Sequence, residues 1–477
     1  MSAILAVDQG TTSTKALVVS QSGEVRATAS VPVVRHYPRP GWVEQDPDEL
    51  WRSVREAIEQ VAGPDIACVA VTNQRESVLV WDRATGRPLT PCVGWQCMRG
   101  AELCAELRAA GAEPLVRRLT GLPLHPMFSA TKLRRLLDDD SGLRAQAEAG
   151  TACVGTVDSW LIWNLSGGAL HVTDAGNASR TLLFDLHRLD WSDELLDLFD
   201  VPVVALPGVV PSSRTLGETT PLGSLPAVPI AAVAADSHAA LYGLGCDRAG
   251  TAKATYGTGT SLMTPTGEEP RESQHGLAGT LAWLGERPAY ALEGNVFSSG
   301  ATVEWLAGVL GLESAADVER LASTVPDAGG VHLVPGFAGL GAPHWLPEAR
   351  GRRSGLTFAS GRAELARAAL EASAFQVTDL VEAAEHDLER PLVELRVDGG
   401  ASRNDMLMQL QADLIDRPLV RSKTPHAAAL GVARLAGASV DTSGGDRFEP
   451  QLDADRRESL LAGWRAALPV PREAAVL

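Results

Sequence analysis

Lysine is scarce in this sequence: Lys15, Lys132, Lys253 and Lys423 are the only four in 477 residues. The remaining basic charge is arginine, and the formal net charge is −17. A chain with that balance has no basic field for a phosphate backbone, so a nucleic-acid partner is not expected. A small anion is not excluded, because one loop can hold a phosphate against the global field. No apolar run reaches the roughly 18 residues of a membrane helix, so no membrane span is expected. The opening MSAILAVDQG has no basic stretch before its apolar one, which Asp8 interrupts. No signal peptide is therefore expected, and the expected location is cytoplasmic. Six cysteines in so long a chain make no disulfide framework. Cys92, Cys97 and Cys104 fit no CxxC spacing and read as structural or free thiols rather than zinc ligands. The phosphate-binding pattern GxxxxGK(S/T) is absent as well.

What is present begins with length: 477 residues exceed one ordinary core and predict two or more domains. AILAV reads as a buried strand, and ALVVS and VRATASVPV flank QSG as a hairpin. In WVEQDPDELWRSVREAIEQVAG, Asp46 or Asp48 starts a helix whose apolar face runs through Leu50, Trp51, Val54, Ile58 and Val61. IACVAVTNQ is again a strand, and the alternation predicts an α/β core. The grammar restarts at TAKATYGTGTSLM, which is strand, glycine-threonine turn, strand. LRVDGGASRNDMLMQLQADLI then reads as strand, turn, helix. The chain thus predicts two α/β halves, each opening on a hydroxyl-rich hairpin, with a boundary near Gly243 to Ala249. SVDTSGGDRFEP looks flexible and precedes a short terminal helix.

The first hairpin poses a chemical question, because its strand ends on Asp8 and runs into Gly10, Thr11, Thr12 and Ser13. Backbone N–H groups and hydroxyls aimed one way form a nest for phosphate oxygens, and Gly10 lets the backbone approach. Asp8 suits a hydrated magnesium ion, which takes one or two carboxylates plus phosphates. Lys15 adds a point charge. Taken alone, DQGTTS also fits a plain tight turn. YGTGT supplies a second loop with Thr258 beside Gly259, able to face the first across a cleft. In VDGGASRND, Gly399 and Gly400 permit close approach of a base or sugar, and Asn404 starts a helix that can reach it. TNQRE ends a strand on Arg75 and Glu76, a donor fork beside an acceptor, which suits vicinal hydroxyls or plain surface polarity. Trp95 follows in VGWQC as a wall for a carbon chain or as a core residue. AAVAADSHAAL carries a buried strand into Asp236, a general-base candidate or a helix cap.

The motifs DQGTTS, GWVEQDP, TNQRE, WQC, GTVDSWLIW, TDAGNASRTLLFD, YGTGT, ALEGNVFSSGATVEWL, GLGAPHW, RGRRSGLT and VDGGASRND occur in the order seen in FGGY carbohydrate kinases. From Ile4 to about Ala436 the chain resembles that family, and within it the glycerol-phosphorylating branch. The resemblance implies two duplicated actin-like, sugar-kinase (ribonuclease H-like) α/β domains with an ATP cleft between them. It implies an N-terminal domain over 1–244, a C-terminal domain over 245–440 and a tail with a short helix over 441–477. It implies ATP and Mg2+ as cofactors, with Asp8 on the metal and Gly10, Thr11, Thr12, Ser13, Lys15, Thr258 and Gly259 on the phosphates. Gly300, Glu304, Gly400 and Asn404 fall at the adenosine side. Arg75, Glu76, Trp95 and Asp236 match the polyol-binding pattern, with Asp236 as the base.

Departures from the family pattern cluster at the acceptor. Lys15 stands where Arg is usual and Glu304 where Gln is. HPM (His125, Pro126, Met127) replaces Asp-Pro-Tyr, Ser237 replaces Gln, and Ser261 replaces Phe. A smaller wall predicts a larger pocket. The expected function is therefore ATP-dependent phosphorylation of a terminal hydroxyl on a small polyol, glycerol first. A four- or five-carbon polyol or ketose is the alternative, and an ATP-binding regulatory protein of the same superfold is a remote one. A homo-oligomer, dimer or tetramer, is expected.

Overall fold

The computed structural model describes residues 2–423 and 426–469. The AILAV strand runs Ala3–Gln9, buried throughout except at Asp8, which is half-buried. It shows no polar alternation because it lies inside a sheet covered on both faces. That sheet has five strands in the order Ile230–Ala235, Ile66–Asn73, Ala3–Gln9, Ser13–Ser20 and Val25–Pro32. The last three form an antiparallel meander, and the other two add in parallel.

The second half repeats this arrangement. Thr251–Tyr256, Thr260–Gly267 and Pro288–Val296 make the meander, and Glu394–Asp398 and Leu419–Ser422 add in parallel. Two further strands, Ala278–Leu284 and Gly445–Phe448, close the edges of this seven-stranded sheet. The expected pair of duplicated α/β halves is thus observed, and it places the two hairpin turns as counterparts.

Helices cover the sheets where the apolar periodicity predicts. Helix Pro47–Val61 is capped by Asp46, not Asp48, and buries Leu50, Val54 and Ile58. The halves meet where helix Asp236–Gly243 crosses helix Ala427–Leu435. A Cβ on Gly431 would lie 1.8 Å from the Ala239 carbonyl oxygen, and one on Gly243 would lie 2.1 Å from that of Ala427. Only glycine permits backbones this close. Ala429, Leu430 and Val432 of the second half pack on Ile4, Ala6, Ala232 and Ala234 of the first sheet.

One expectation changes. The segment read as flexible contributes strand Gly445–Phe448, paired with Leu419–Ser422. The terminal helix Ala454–Ala467 buries Leu461 and Trp464, and Trp464 stacks on Phe375 with ring centroids 5.2 Å apart. The expected tail is therefore built onto the second half by aromatic and aliphatic burial, and its residues 470–477 lie outside the described residues. All six cysteines are free. Among the described residues no helix is long and apolar enough to cross a membrane.

Candidate active site

The first hairpin sets Asp8 directly opposite Lys15. The Gly10 amide donates to the Ser13 carbonyl at 3.0 Å, so it tightens the turn rather than facing outward. Thr12 is exposed, and Thr11 and Ser13 are half-buried. Trp95, expected as an acceptor wall, donates its indole N–H to the Thr11 hydroxyl at 3.0 Å, and Gln45 donates to the Thr11 carbonyl at 3.0 Å. The indole therefore braces this loop. Burial raises the Asp8 pKa to about 6; Lys15 opposes the rise and Asp236 adds to it. A cation near Asp8 would favour its ionised form, which is compatible with the expectation of Asp8 as a magnesium residue. No group of three or more His, Cys, Asp and Glu side chains forms a metal cage among the described residues.

The second hairpin is tightened in the same way, by the Gly257 amide on the Gly259 carbonyl at 2.8 Å. Thr258 is exposed, and its carbonyl accepts from the amides of Ser299 and Ala301. Gly300 donates to the Gly257 carbonyl at 3.0 Å, and a Cβ there would meet that oxygen at 2.6 Å. The helix Gly300–Val309 is thus docked end-on against the hairpin. Gly259 likewise leaves no room for a side chain, with the Val296 carbonyl 2.3 Å from a built Cβ. Glu304 is exposed one turn into that helix. Below the hairpin, Lys253 donates to Thr255, which donates to Asp398. Gly399, at φ +94°, abuts the Tyr256 carbonyl, whereas a Cβ on Gly400 would meet nothing within 4 Å. Gly400 is thus the glycine with open space before it. Asn404 caps helix Asp405–Ile415 by accepting from the Leu407 amide at 3.0 Å, which leaves its amide nitrogen as the end able to meet a base.

Asp236, half-buried, acts electrostatically on Asp8 of the first half and is acted on by Lys253 of the second. It is the first residue of its helix; Ala235 holds the cap position, and the Ser237 amide donates to Asp236 Oδ1 at 2.6 Å. Burial raises its pKa, and Arg75 opposes the rise. Arg75 Nε lies 3.4 Å from Asp236 Oδ1. The other two guanidinium nitrogens of Arg75 are forked onto Glu293, at 2.9 and 2.6 Å. That corrects the expectation of a donor fork open to vicinal hydroxyls: a carboxylate occupies it, because two buried charges demand partners. Glu76 sits at φ +60° with its side chain buried, and Arg180 donates to its Oε1 at 2.8 Å. A non-glycine residue held in that region is strained and needs a surround that fixes it. Ser261 donates to Glu293 at 3.1 Å. Met127, expected in the wall, packs into the apolar core with Val43, Leu124 and Phe128, and is 6% exposed.

Arg180, Glu293 and Lys253 were not among the predicted site residues. Each is fully buried. The only local signal was a charge embedded in an apolar stretch, as in YALEGNV and NASRTLLFD.

Comparison with known proteins agrees with this fold. Residues 3–243 match the N-terminal domain of the FGGY family of carbohydrate kinases, and residues 252–440 match its C-terminal domain. The chain is 50% identical to glycerol kinases of Alkalilimnicola ehrlichii and of Aromatoleum aromaticum, in each case over 98% of both chains. Its fold superposes on the crystal structure of Plasmodium falciparum glycerol kinase with ADP at a TM-score of 0.91 and 30% identity, covering 98% of this chain and 97% of that one. With both domain models matched along most of its length and full-length relatives at 50% identity, the chain belongs to the FGGY family of carbohydrate kinases.

Proposed function

We propose that this chain transfers the γ-phosphoryl group of ATP to a terminal hydroxyl of glycerol, giving glycerol 3-phosphate. The observation that carries this reading is Asp236, a half-buried acid with raised pKa that lies 3.4 Å from Arg75 and acts electrostatically on Asp8 of the first half and Lys253 of the second. Full-length identity of 50% to glycerol kinases supports the acceptor.

Phosphoryl transfer asks for positioning and charge neutralisation more than for covalent chemistry. Thr11, Thr12, Ser13 and Thr258 offer hydroxyls to the phosphates from two sides, with Lys15 as a nearby cation. Asp8 is the residue that would hold magnesium, whose bound charge neutralises phosphate oxygens. Gly400, Asn404, Gly300 and Glu304 mark the nucleoside side. At the acceptor end, the Arg75 Nε donates and the unengaged oxygen of Glu76 accepts. Asp236 takes the proton of the attacking hydroxyl, and partial desolvation, which raises its pKa, makes it a stronger base than a fully solvated carboxylate. Exclusion of water by the two halves suppresses hydrolysis.

Asp236→Asn is expected to leave ATP binding intact and to lower kcat by about 100-fold or more; near-normal turnover would remove Asp236 from the role of base. ADP release measured against glycerol, dihydroxyacetone, erythritol, xylitol, xylulose and ribulose tests the acceptor. The smaller residues Ser237 and Ser261 keep the longer polyols in that panel, and a longer acceptor that wins by about tenfold in kcat/KM replaces glycerol. Assembly into a dimer or tetramer belongs to the same reading. It is supported by the exposed aromatic pair Trp305 and Phe337 beside Val309, and light scattering tests it.

A further inference from the structure

Glu293 belongs to the second domain, yet its carboxylate is paired with arginines of the first. It sits 218 residues from Arg75 in sequence and accepts both terminal nitrogens of that side chain. Arg180 Nη2 approaches its other face, 2.7 Å from Oε2. Arg180 in turn donates from Nε to Glu76. Two arginines and two glutamates therefore make a neutral, buried set that spans the domains, and Asp236 lies at its rim. Burial alone would raise the Glu293 pKa, but Arg180 and Arg75 outweigh it and hold the group well below the usual carboxylate range. The strands around Glu293 reach across as well. The Gly279 amide donates to the Gly121 carbonyl at 2.8 Å, Thr280 meets Ser179 at 3.0 Å, and the Tyr290 hydroxyl donates to the Leu186 carbonyl at 2.7 Å.

This arrangement decides what Arg75 can do. With its fork taken, Arg75 turns only Nε toward Asp236 and Glu76, at 3.4 and 3.8 Å. Without Glu293, the fork is free to close on the Asp236 carboxylate two-pronged, the preferred geometry for that pair. The base would then be engaged by its neighbour rather than by the acceptor hydroxyl. The terminal nitrogens of Arg180 are buried without a well-aligned hydrogen bond, so the set is still short of an acceptor oxygen.

Resting on the kinase reading above, we propose that Glu293 is a positioning residue: supplied by the second domain and backed by Arg180, it holds Arg75 by its fork so that the acceptor end of the site is assembled only when the two domains are together. Ser261, which donates to the same carboxylate, tunes this hold from the position where the family pattern has a large aromatic ring.

The test uses the full chain. Glu293→Gln keeps the shape and removes the charge, Glu293→Asp keeps the charge, and the pair Glu293→Gln/Arg180→Gln keeps the set neutral if the single variant does not fold. For Glu293→Gln the proposal expects glycerol KM to rise by about tenfold and kcat to fall by about tenfold, with ATP KM within about twofold. It also expects a larger share of ATP lost to water, because the acceptor is held less well. Glu293→Asp recovers most of the transfer, and the neutral pair shows the same acceptor defect as the single variant. Unchanged glycerol KM and kcat in a variant that merely melts earlier would overturn the proposal, since a structural role moves stability alone. Should the wild type phosphorylate no polyol, the function reading fails by itself. Small-angle scattering then decides: Glu293→Gln is expected to open the domains, and a profile identical to wild type overturns the role of Glu293.

Discussion

Asp8 carries its carboxyl at a depth where ionisation is unfavourable, and this has a sign that can be checked. Its pKa rises from 3.8 to about 6 on folding. As pH increases, the unfolded chain loses the proton first, so the folded state loses stability between about pH 4 and 6 and stays penalised above. The penalty at neutral pH is at most about 3 kcal/mol, and partial solvent access to Asp8 reduces it. Asp8→Asn is therefore expected to raise the melting temperature of the nucleotide-free protein at pH 8 and to change it little at pH 4, while ATP KM at fixed magnesium rises. An equal shift at both pH values in a thermal melt would contradict this account. The same scale shows which residues were legible in the sequence. Asp8, Arg75, Glu76 and Asp236 stand at strand ends, where local pattern predicts strand, turn and helix start. Arg180 and Glu293 were not legible, because their meaning lies in partners more than 100 residues away. Met127 was assigned to a wall from family pattern; it is 6% exposed and packs among apolar neighbours that local sequence does not name.

At the scale of elements, the strands and helices were readable because each carries its own periodicity, and the hairpins because turn chemistry is local. Strand Gly445–Phe448 was not, since four residues of polar character become a strand only through the neighbour they pair with. The helix crossing was equally hidden. Two stretches rich in alanine and glycine name no partner, yet Gly431 and Gly243 let Asp236–Gly243 and Ala427–Leu435 touch backbone to backbone. Gly431→Ala forces a methyl group into the Ala239 carbonyl, which cannot move aside as a flexible side chain would. The expected loss is about 3 kcal/mol, the upper end for overpacking, read as a lower midpoint in urea. Because this crossing carries Asp236 on one of its helices, turnover is expected to fall as well. Gly308, where a Cβ meets nothing within 4 Å, is the matched position at which the same change leaves both readouts near wild type.

On the scale of the whole molecule, duplication explains why so much chemistry converges on one cleft. The two sheets share a five-strand core of the same order, each with its first hairpin at the same place in that order, so the two hydroxyl-rich turns follow from one design used twice. The net charge of −17 repels polyanions in general, and arginine rather than lysine supplies the ion pairs that tie distant segments together.

The burial of lysine has a practical corollary. Lys132 and Lys253 are wholly enclosed, Lys15 is half-buried at the first hairpin, and Lys423 is exposed. An amine-directed reagent therefore meets a molecule with nearly a single reactive side-chain handle. With the terminal α-amine blocked, a dye or a surface coupled through Lys423 attaches largely in one orientation rather than in a random mixture. In a mass-spectrometric footprint, Lys423 serves as an internal standard while Lys15 reports on the cleft, its labelling expected to drop when nucleotide is added and to be unaffected by glycerol alone.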